Sequence, residues 1–359
     1  MISPGVVGRA LARLTTPFDP DAYLSFLHPL WGTKLRGVVE AVTPVTAEAA
    51  AITIRPSAGW PGHVPGQFTT LGVDVRGVRH HRCYSITSAP GTRDRRGPLI
   101  EVVVQAVPGG TVSQHLVHDV RPGEVVRLSA PAGELTPDVH AGPVLFVTGG
   151  SGLTPALGVL RALDRERPAG ADVVVLHHAT DPGRCLHLEE LERLDRTIEG
   201  VRITTTFTRT GPRRHLDAER LEHLCPDWRE RTAYVCGPEA MVATATDLWQ
   251  REGLGDRLLV ERHTQPRAAA AAAPLDGATV RFAASGVEVL AEGSTSLLEL
   301  AERAGLPAPA GCRSGICHTC STRLAEGCTL DLRDGRESVA GEHVQLCVSA
   351  AASDVTLDL

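Results

Sequence analysis

The sequence predicts a multidomain chain: an antiparallel β-barrel, a doubly wound α/β sheet, and a small α+β domain carrying a cysteine-rich loop. Three observations predict it. Between residues 33 and 138, short strand-like stretches recur between Gly/Pro turns. From Gly142, short apolar strands alternate with helical patterns. After a polyalanine run bounded by prolines, "QPRAAAAAAPLDG" at 265–277, strand patterns return around "AGCRSGICHTCSTRL" at 310–324.

Composition limits what such a chain does. Its 359 residues allow two or three domains, and 42% hydrophobic residues suffice for their cores. The net charge of −6 leaves no footprint for nucleic acid. That charge is unevenly spread. Residues 275–359 hold 12 acidic and 6 basic side chains, whereas the preceding residues hold 30 of each. An acidic terminal domain on a neutral body suits docking to a basic partner, or simply a solubilising surface. No apolar run is long enough to span a membrane, and the start lacks the apolar core of a secretory leader. Nine cysteines without such a leader point to reduced thiols or metal ligands, and to a cytoplasmic protein.

The barrel strands are expected in "RGVVEAVTPV", "AAAITIRPS", "GQFTTLGVDV", "HHRCYSITS", "LIEVVVQAV" and "EVVRLSAP". In the fourth, alternation puts Arg82 and Tyr84 on one face and Cys83 and Ser85 on the other. A cation for phosphate beside a ring for stacking suits a flavin nucleotide. Downstream, "PGGTVSQHLVHDV" sets Gly109 and Gly110 before a helix expected to begin around Ser113, with Ser113 as its cap. The free N–H groups of that helix start would face a pyrophosphate.

The α/β segment opens with "PVLFVTGGSGLTPALGVLRAL". Gly149, Gly150 and Gly152 follow a strand, and Thr154-Pro155 opens a helix. Glycines there let the backbone approach a pyrophosphate, although such turns also serve packing. The sequence does not carry the G-x-G-x-x-G fingerprint. "AYVCGPEAMV" repeats the arrangement: a strand ends at Cys236-Gly237-Pro238, and the helix is expected to begin at the proline. "TTTFTRT" ends a third strand at Thr208 and Arg209, with Arg213 and Arg214 following. A hydroxyl and a guanidinium there suit a 2′-phosphate, and no acid is present for a ribose; a solvated basic turn is the plainer reading.

In the cysteine loop, Cys312, Cys317 and Cys320 are spaced C-x4-C-x2-C, and Cys347 follows after 26 intervening residues. This is plant-type [2Fe–2S] spacing. Gly311, Ser314 and Gly315 let the loop wrap closely, and Arg313 would add positive charge beside it. Structural zinc usually pairs two Cys-x-x-Cys knuckles, and one is present here. Cys328 is a rival to Cys347, but a turn at Glu326-Gly327 would carry it away from the loop.

These residues resemble the ferredoxin–NADP reductase superfamily with a C-terminal plant-type ferredoxin domain. The resemblance spans about residues 33–359. "RCYS" is similar to its R-x-Y-S motif, which implies Arg82 on the flavin phosphates, Tyr84 against the isoalloxazine and Ser85 near its reactive nitrogen. "GGTVSQHL" is similar to its phosphate motif, which implies Gly110, Thr111, Val112 and Ser113 on the pyrophosphate, with FAD in place of FMN. "GGSGLTP" and "CGPEAM" resemble its nicotinamide-nucleotide motifs and put Cys236 beside the nicotinamide. Tyr84, Ser85 and Cys236 are then the catalytic candidates. The implied segments are an extension at 1–32, an FAD-binding β-barrel at 33–139, an NAD(P)-binding α/β domain at 140–264, a linker at 265–275 and a β-grasp-like [2Fe–2S] domain at 276–359.

The domain order implies electron transfer from NADPH, or NADH, through FAD and the cluster to an oxygenase, hydroxylase or desaturase. The stretch "FLHPLWGTKLRG" resembles reductases of membrane fatty-acyl desaturases; aromatic-ring and alkane hydroxylases are the other partners implied. Leu27, Leu30 and Trp31, beside His28 and Lys34, suit either docking to a membrane-bound partner or packing on the barrel. A redox-sensing regulatory module is the reading of a different class, and it has no use for the hydride path.

Overall fold

The computed structural model describes residues 35–210, 216–261 and 274–359, apart from residues 312, 314, 316, 317 and 334. The extension at 1–32, Lys34, Arg213, Arg214, all but the last two residues of the expected linker, Cys312, Ser314 and Cys317 lie outside the described residues.

The first sheet uses all six expected stretches: β1 (Arg36–Thr46), β2 (Ala49–Pro56), β3 (Phe68–Val75), β4 (Val78–Ser85), β7 (Ile100–Gln105) and β8 (Val125–Leu128), with a small hairpin, β5 (Arg93–Asp94) and β6 (Gly97–Pro98), between β4 and β7. The strand order is β4-β3-β8-β1-β2-β7. Just past β4, Ile86 bridges Val102 and the Thr87 N–H donates to the Glu101 carbonyl at 2.8 Å, which closes the sheet into a barrel. Ile52, Ile54, Leu71, Ile86 and Val102 fill its interior. Strand β2 lacks polar alternation because both its faces are covered. Ile52 and Ile54 point into the barrel, while Ala49 and Ala51 join the core of the next layer.

A short helix, α1 (Thr111–Gln114), runs into a wider π-type turn at His115–Asp119. It begins before Ser113, contrary to the sequence expectation. Gly110 occupies the capping position, and Ser113 Oγ instead accepts the Val107 N–H at 3.1 Å. The serine sits inside the first turn and ties the loop back on itself.

The second sheet is parallel. It comprises β9 (Val144–Gly149), β10 (Val173–Ala179), β11 (Val201–Phe207), β12 (Thr232–Cys236) and β13 (Leu258–Glu261), in the order β11-β10-β9-β12-β13. Helices α2 (Thr154–Glu166) and α3 (Leu188–Thr197) cover one face; α4 (Ala218–Leu224) and α5 (Glu239–Arg251) cover the other. Every residue of β9 and β10 is buried, as two covered faces require. The strand order reverses between β9 and β12, the topological switch point where such sheets bind ligands. Helix α5 begins at Glu239, and Pro238 takes the extended position before it (φ −58°, ψ 144°), not the first helical position expected from sequence.

In the C-terminal domain, β14 (Thr279–Phe282) and β15 (Val287–Leu290) form an antiparallel hairpin. Helix α6 (Leu297–Arg303) follows, with Ser296 and Glu299 capping each other reciprocally. Then come β16 (Ser321–Glu326), β17 (Cys328–Asp331), β18 (Glu337–Val339), β19 (His343–Gln345), β20 (Ser349–Ala351) and β21 (Val355–Leu357). One sheet has the order β15-β14-β21-β16-β19, parallel only between β14 and β21, and a second has β18-β17-β20. This mixed sheet with a helix packed through Leu297 and Leu298 is β-grasp-like. No helix among the described residues is long and apolar enough to cross a membrane.

Candidate functional site

At the end of β4 the barrel hands its last strand residue, Ser85, to the α/β layer. Ser85 and Thr154 are both buried, and Thr154 shares its hydroxyl between Ser85 Oγ at 3.1 Å and the Ser151 carbonyl at 3.0 Å. A residue of the expected flavin motif therefore touches a residue of the expected nucleotide motif. Tyr84, one residue earlier, is half-buried and packs against the barrel core. Arg82 donates to the carbonyl of its neighbour His81 at 2.7 Å. Gly110, Thr111, Val112 and Ser113 make the start of α1.

The two glycine turns at the switch point interlock. A Cβ on Gly152 would stand 2.1 Å from the Cys236 carbonyl oxygen, so only glycine lets the turn after β9 pass the end of β12. Gly149 meets Pro238 in the same way, and Gly237 meets Gly149. These glycines thus serve packing between the two turns. Gly150 differs: it is left-handed (φ +55°), and the nearest atom to its Cβ position is 4.0 Å away. It is the glycine of this turn with room for a ligand beside it.

Cys236 is buried at the carboxyl end of β12, in register with Thr148 on β9, which is in turn in register with His177 on β10. Thr148 Oγ1 lies 2.9 Å from His177 Nδ1. Burial pushes the imidazole down to about 3, so the ring is neutral. Sequence reasoning missed Thr148 and His177. "LHHAT" reads as strand end, and the pairing requires the register of two parallel strands.

Thr208 and Arg209 follow β11, at the edge of the sheet. Thr208 hydrogen-bonds back to the Ala179 carbonyl through both its N–H (2.9 Å) and its hydroxyl (3.3 Å), and Arg209 is exposed. Sequence reasoning also missed Arg220, whose Nη2 donates to Thr206 Oγ1 at 3.1 Å and brings a second guanidinium to the end of this strand. It comes from α4, across the turn, where no spacing rule links it to "TTTFTRT".

In the cysteine loop, Cys320 and Cys347 bring their sulfurs to 3.3 Å. That is too long for a disulfide of about 2.05 Å. It is close to the separation of two thiolates on one tetrahedral metal, about 3.7 Å for bonds of about 2.3 Å. These two thiols fit a shared iron of an iron–sulfur cluster. Arg313, Gly315 and His318 take left-handed backbone (φ 60°, 68° and 55°) and wind the loop. The two that are not glycine persist because the surroundings hold the loop. Arg333 Nη1 donates to the Gly315 carbonyl and Nη2 to Gln345 Oε1, each at 3.0 Å, while Gln345 Nε2 lies 2.9 Å from His318 Nδ1. Arg313 does not offer the loop a loose positive charge, as expected from sequence. Glu302 holds its guanidinium at both carboxylate oxygens, one at 2.9 Å. Gly327 (φ 88°) turns the chain between β16 and β17, and Cys328 starts β17 with its thiol near the Thr329 carbonyl. Burial raises the pKa of that thiol, which keeps it protonated.

Residues 53–136 match the oxidoreductase FAD-binding domain, 146–247 the oxidoreductase NAD-binding domain and 280–352 the 2Fe-2S iron-sulfur cluster binding domain. The chain is 41% identical over 351 residues to an NADPH oxidoreductase of Mycobacterium tuberculosis, covering 97% of this chain and 90% of that protein. It is 28% identical over 321 residues to the glycine betaine monooxygenase reductase subunit of Pseudomonas aeruginosa, covering 82% of this chain and 86% of that protein. Among solved structures, phthalate dioxygenase reductase shares the fold with a TM-score of 0.61 at 24% identity, over 90% of this chain and 97% of that one. The chain therefore belongs to the ferredoxin–NADP reductase superfamily, as an NAD(P)H-dependent flavoprotein reductase that passes electrons through FAD to the [2Fe–2S] cluster of its own C-terminal ferredoxin domain.

Proposed function

We propose that the chain is the reductase component of an oxygenase system, that it prefers NADPH, and that hydride transfer occurs where Ser85 and Thr154 meet. When bound, FAD accepts hydride from NAD(P)H and the cluster carries electrons onward singly, which is what an oxygen-activating iron enzyme takes up. The observation that supports the site most directly is the 3.1 Å contact between Ser85 and Thr154. One hydroxyl belongs to the flavin motif and the other to the nucleotide motif, so the two cofactors' reactive ends would converge there.

In this reading Tyr84 stacks on the flavin, Arg82 and residues 110–113 hold its phosphates, and Cys236 borders the nicotinamide, with Gly149, Gly150, Gly152, Gly237 and Pro238 shaping the cleft. Thr208 and Arg209 receive the 2′-phosphate. Cys312, Cys317, Cys320 and Cys347 ligate the cluster, and Cys328 packs. The domain limits are 33–139, 140–264 and 276–359, and the protein works in the cytoplasm. The oxygenase assignment draws on the 28%-identical relative, which is a monooxygenase reductase subunit. The desaturase reading rests on a stretch mostly outside the described residues, and no relative reported above bears a desaturase name.

The test is reconstitution. The reductase is mixed with NADPH and either a purified terminal oxygenase or a membrane acyl desaturase in lipid vesicles, and oxidised product is measured against NADPH consumed. Tight coupling with the oxygenase supports the proposal. Coupling with the desaturase alone overturns it in favour of a membrane acceptor. Rapid NADPH oxidation with cytochrome c confirms in either case that the reductase is active.

A further inference from the structure

Helix α2 lies along the segment that leaves β4, and one stripe of the helix meets that segment step by step. Thr154 bonds Ser85 at 3.1 Å. One turn on, a Cβ at Gly158 would stand 2.6 Å from the Ile86 carbonyl oxygen, so only glycine allows the helix this close. Arg161 donates to the Thr87 carbonyl at 3.2 Å, and Arg165 to the Pro90 carbonyl at 3.1 Å. Steps of four, three and four residues keep all four positions on one helical face.

Arg161 is the charged member of this stripe that is largely enclosed, with its side chain 18% exposed. Its Nη1 lies 2.5 Å from Glu101 Oε1 on the barrel strand β7. Its Nε and Nη2 each lie 2.8 Å from one oxygen of Glu190 on α3. Thr87 donates its hydroxyl to the same Glu101 oxygen at 2.9 Å, and His187 Nδ1 sits 3.0 Å from Glu190. The guanidinium is thus clamped by a carboxylate from each layer and by the backbone two residues past Ser85.

We propose that Arg161 is a positioning residue for hydride transfer, fixing the register of α2 against Ser85–Thr87 and through it the meeting of Thr154 with Ser85. The inference rests on the reading that those two hydroxyls flank the reacting atoms. The neutral contacts of the stripe tolerate a small slide; an enclosed guanidinium held from both sides does not, because a slide would break charge-assisted bonds and strand a carboxylate. Hydride transfer demands reacting atoms about 3–3.5 Å apart, and a displacement of about 1 Å costs roughly a hundredfold in rate.

The test uses the full-length, flavin-loaded protein in anaerobic stopped flow, following flavin reduction at saturating NADPH. NADP+ affinity, FAD content and thermal midpoint are measured alongside. R161M is expected to slow flavin reduction roughly ten- to a hundredfold, with NADP+ affinity within about twofold of wild type and FAD retained, and R161K to recover part of the loss. E101Q, which leaves the Arg161–Glu190 pair intact, is expected to slow reduction by a smaller factor. If R161M does not fold, E101Q decides. Wild-type flavin reduction in a folded R161M, or in E101Q, overturns the inference, as does a slowing that merely tracks lost FAD or weakened NADP+ binding. S85A and T154V test the reading underneath. If they reduce flavin at the wild-type rate, the site assignment fails; if they are slow while R161M and E101Q are normal, only the role of Arg161 fails.

Discussion

Cys320 and Cys347, 27 positions apart in sequence, bring their sulfurs within 3.3 Å, although one precedes β16 and the other follows β19. The antiparallel pairing of those two strands, with Ser321 opposite Gln345, does this. Zipping the strands delivers each thiol to the same end of the pair. The ligand set we propose is therefore assembled by strand register as much as by the loop.

Cys328 stands at the far side of the Gly327 turn, where burial raises the pKa of its thiol, and in our proposal it packs and does not ligate. We expect C328S to keep two irons per chain and the iron–sulfur absorbance, and C347S to lose both while still reducing flavin with NADPH. Iron analysis and visible spectra read this directly. Iron loss in C328S with retention in C347S reverses the assignment.

Arg333 holds the loop through the Gly315 carbonyl and Gln345. Removing a charged hydrogen-bond donor from a partly buried site costs about 1.5–3 kcal/mol. R333A is expected to accelerate cluster loss in the presence of a chelator, roughly tenfold or more by that figure. FAD content, set in another domain, is expected to stay at the wild-type level. An unchanged rate of iron release would show that the loop holds itself.

The coenzyme preference is expected to reside in Arg209, exposed just past β11. R209A should raise the KM for NADPH about ten- to a hundredfold, the equivalent of a lost charge-assisted contact, and leave that for NADH near wild type. R220A should act in the same direction but more weakly, since that guanidinium is engaged by Thr206. Steady-state kinetics with both coenzymes check this, and equal effects on the two would remove the 2′-phosphate from this strand end.

Acid stability follows from two carboxylates. Burial opposes the charge of Glu190, but Arg161 and His187 outweigh it and hold the carboxyl at about 2. Asp227 is held at about 2 chiefly by its hydrogen bonds to Arg231, a side chain only 1% exposed. Both folded-state values lie below the ordinary carboxylate range near 4. Their contribution is therefore complete above about pH 4–5 and drains away as pH falls toward 2, where the folded carboxylates too become protonated. Urea unfolding at pH 7, 5 and 3 is expected to show a midpoint that is flat between the first two and lower at the third. E190Q should reduce that drop; an undiminished drop would mean that other carboxylates carry it.

Much of this molecule was legible in its sequence, for a reason that differs by region. Short strand-like stretches between Gly/Pro turns over 33–138 and buried runs after Gly142 mark strands, and all six barrel stretches appear where expected. The spacing of Cys312, Cys317 and Cys320 signals its chemistry because a metal dictates local geometry. Local capping was read less well. Ser113 sits inside its helix and Pro238 outside, since a helix starts where the surrounding loop can satisfy its backbone.

What only the tertiary structure decided is which distant groups meet. The glycines of "GGSG" and "CGPE" read as room for a ligand or for packing, and Gly149, Gly152 and Gly237 each stand against the facing turn, because β9 and β12 are neighbours in space though separated in sequence by β10 and β11. Arg161 reads as one more charge on a helix. Its partners Glu101 and Glu190 come from a barrel strand and another helix, and no periodicity within α2 encodes them. Sequence patterns record the face a residue turns toward water or core, because that choice is made one element at a time. The partner a residue finds on that face depends on how two elements are brought together, and only the packed chain specifies it.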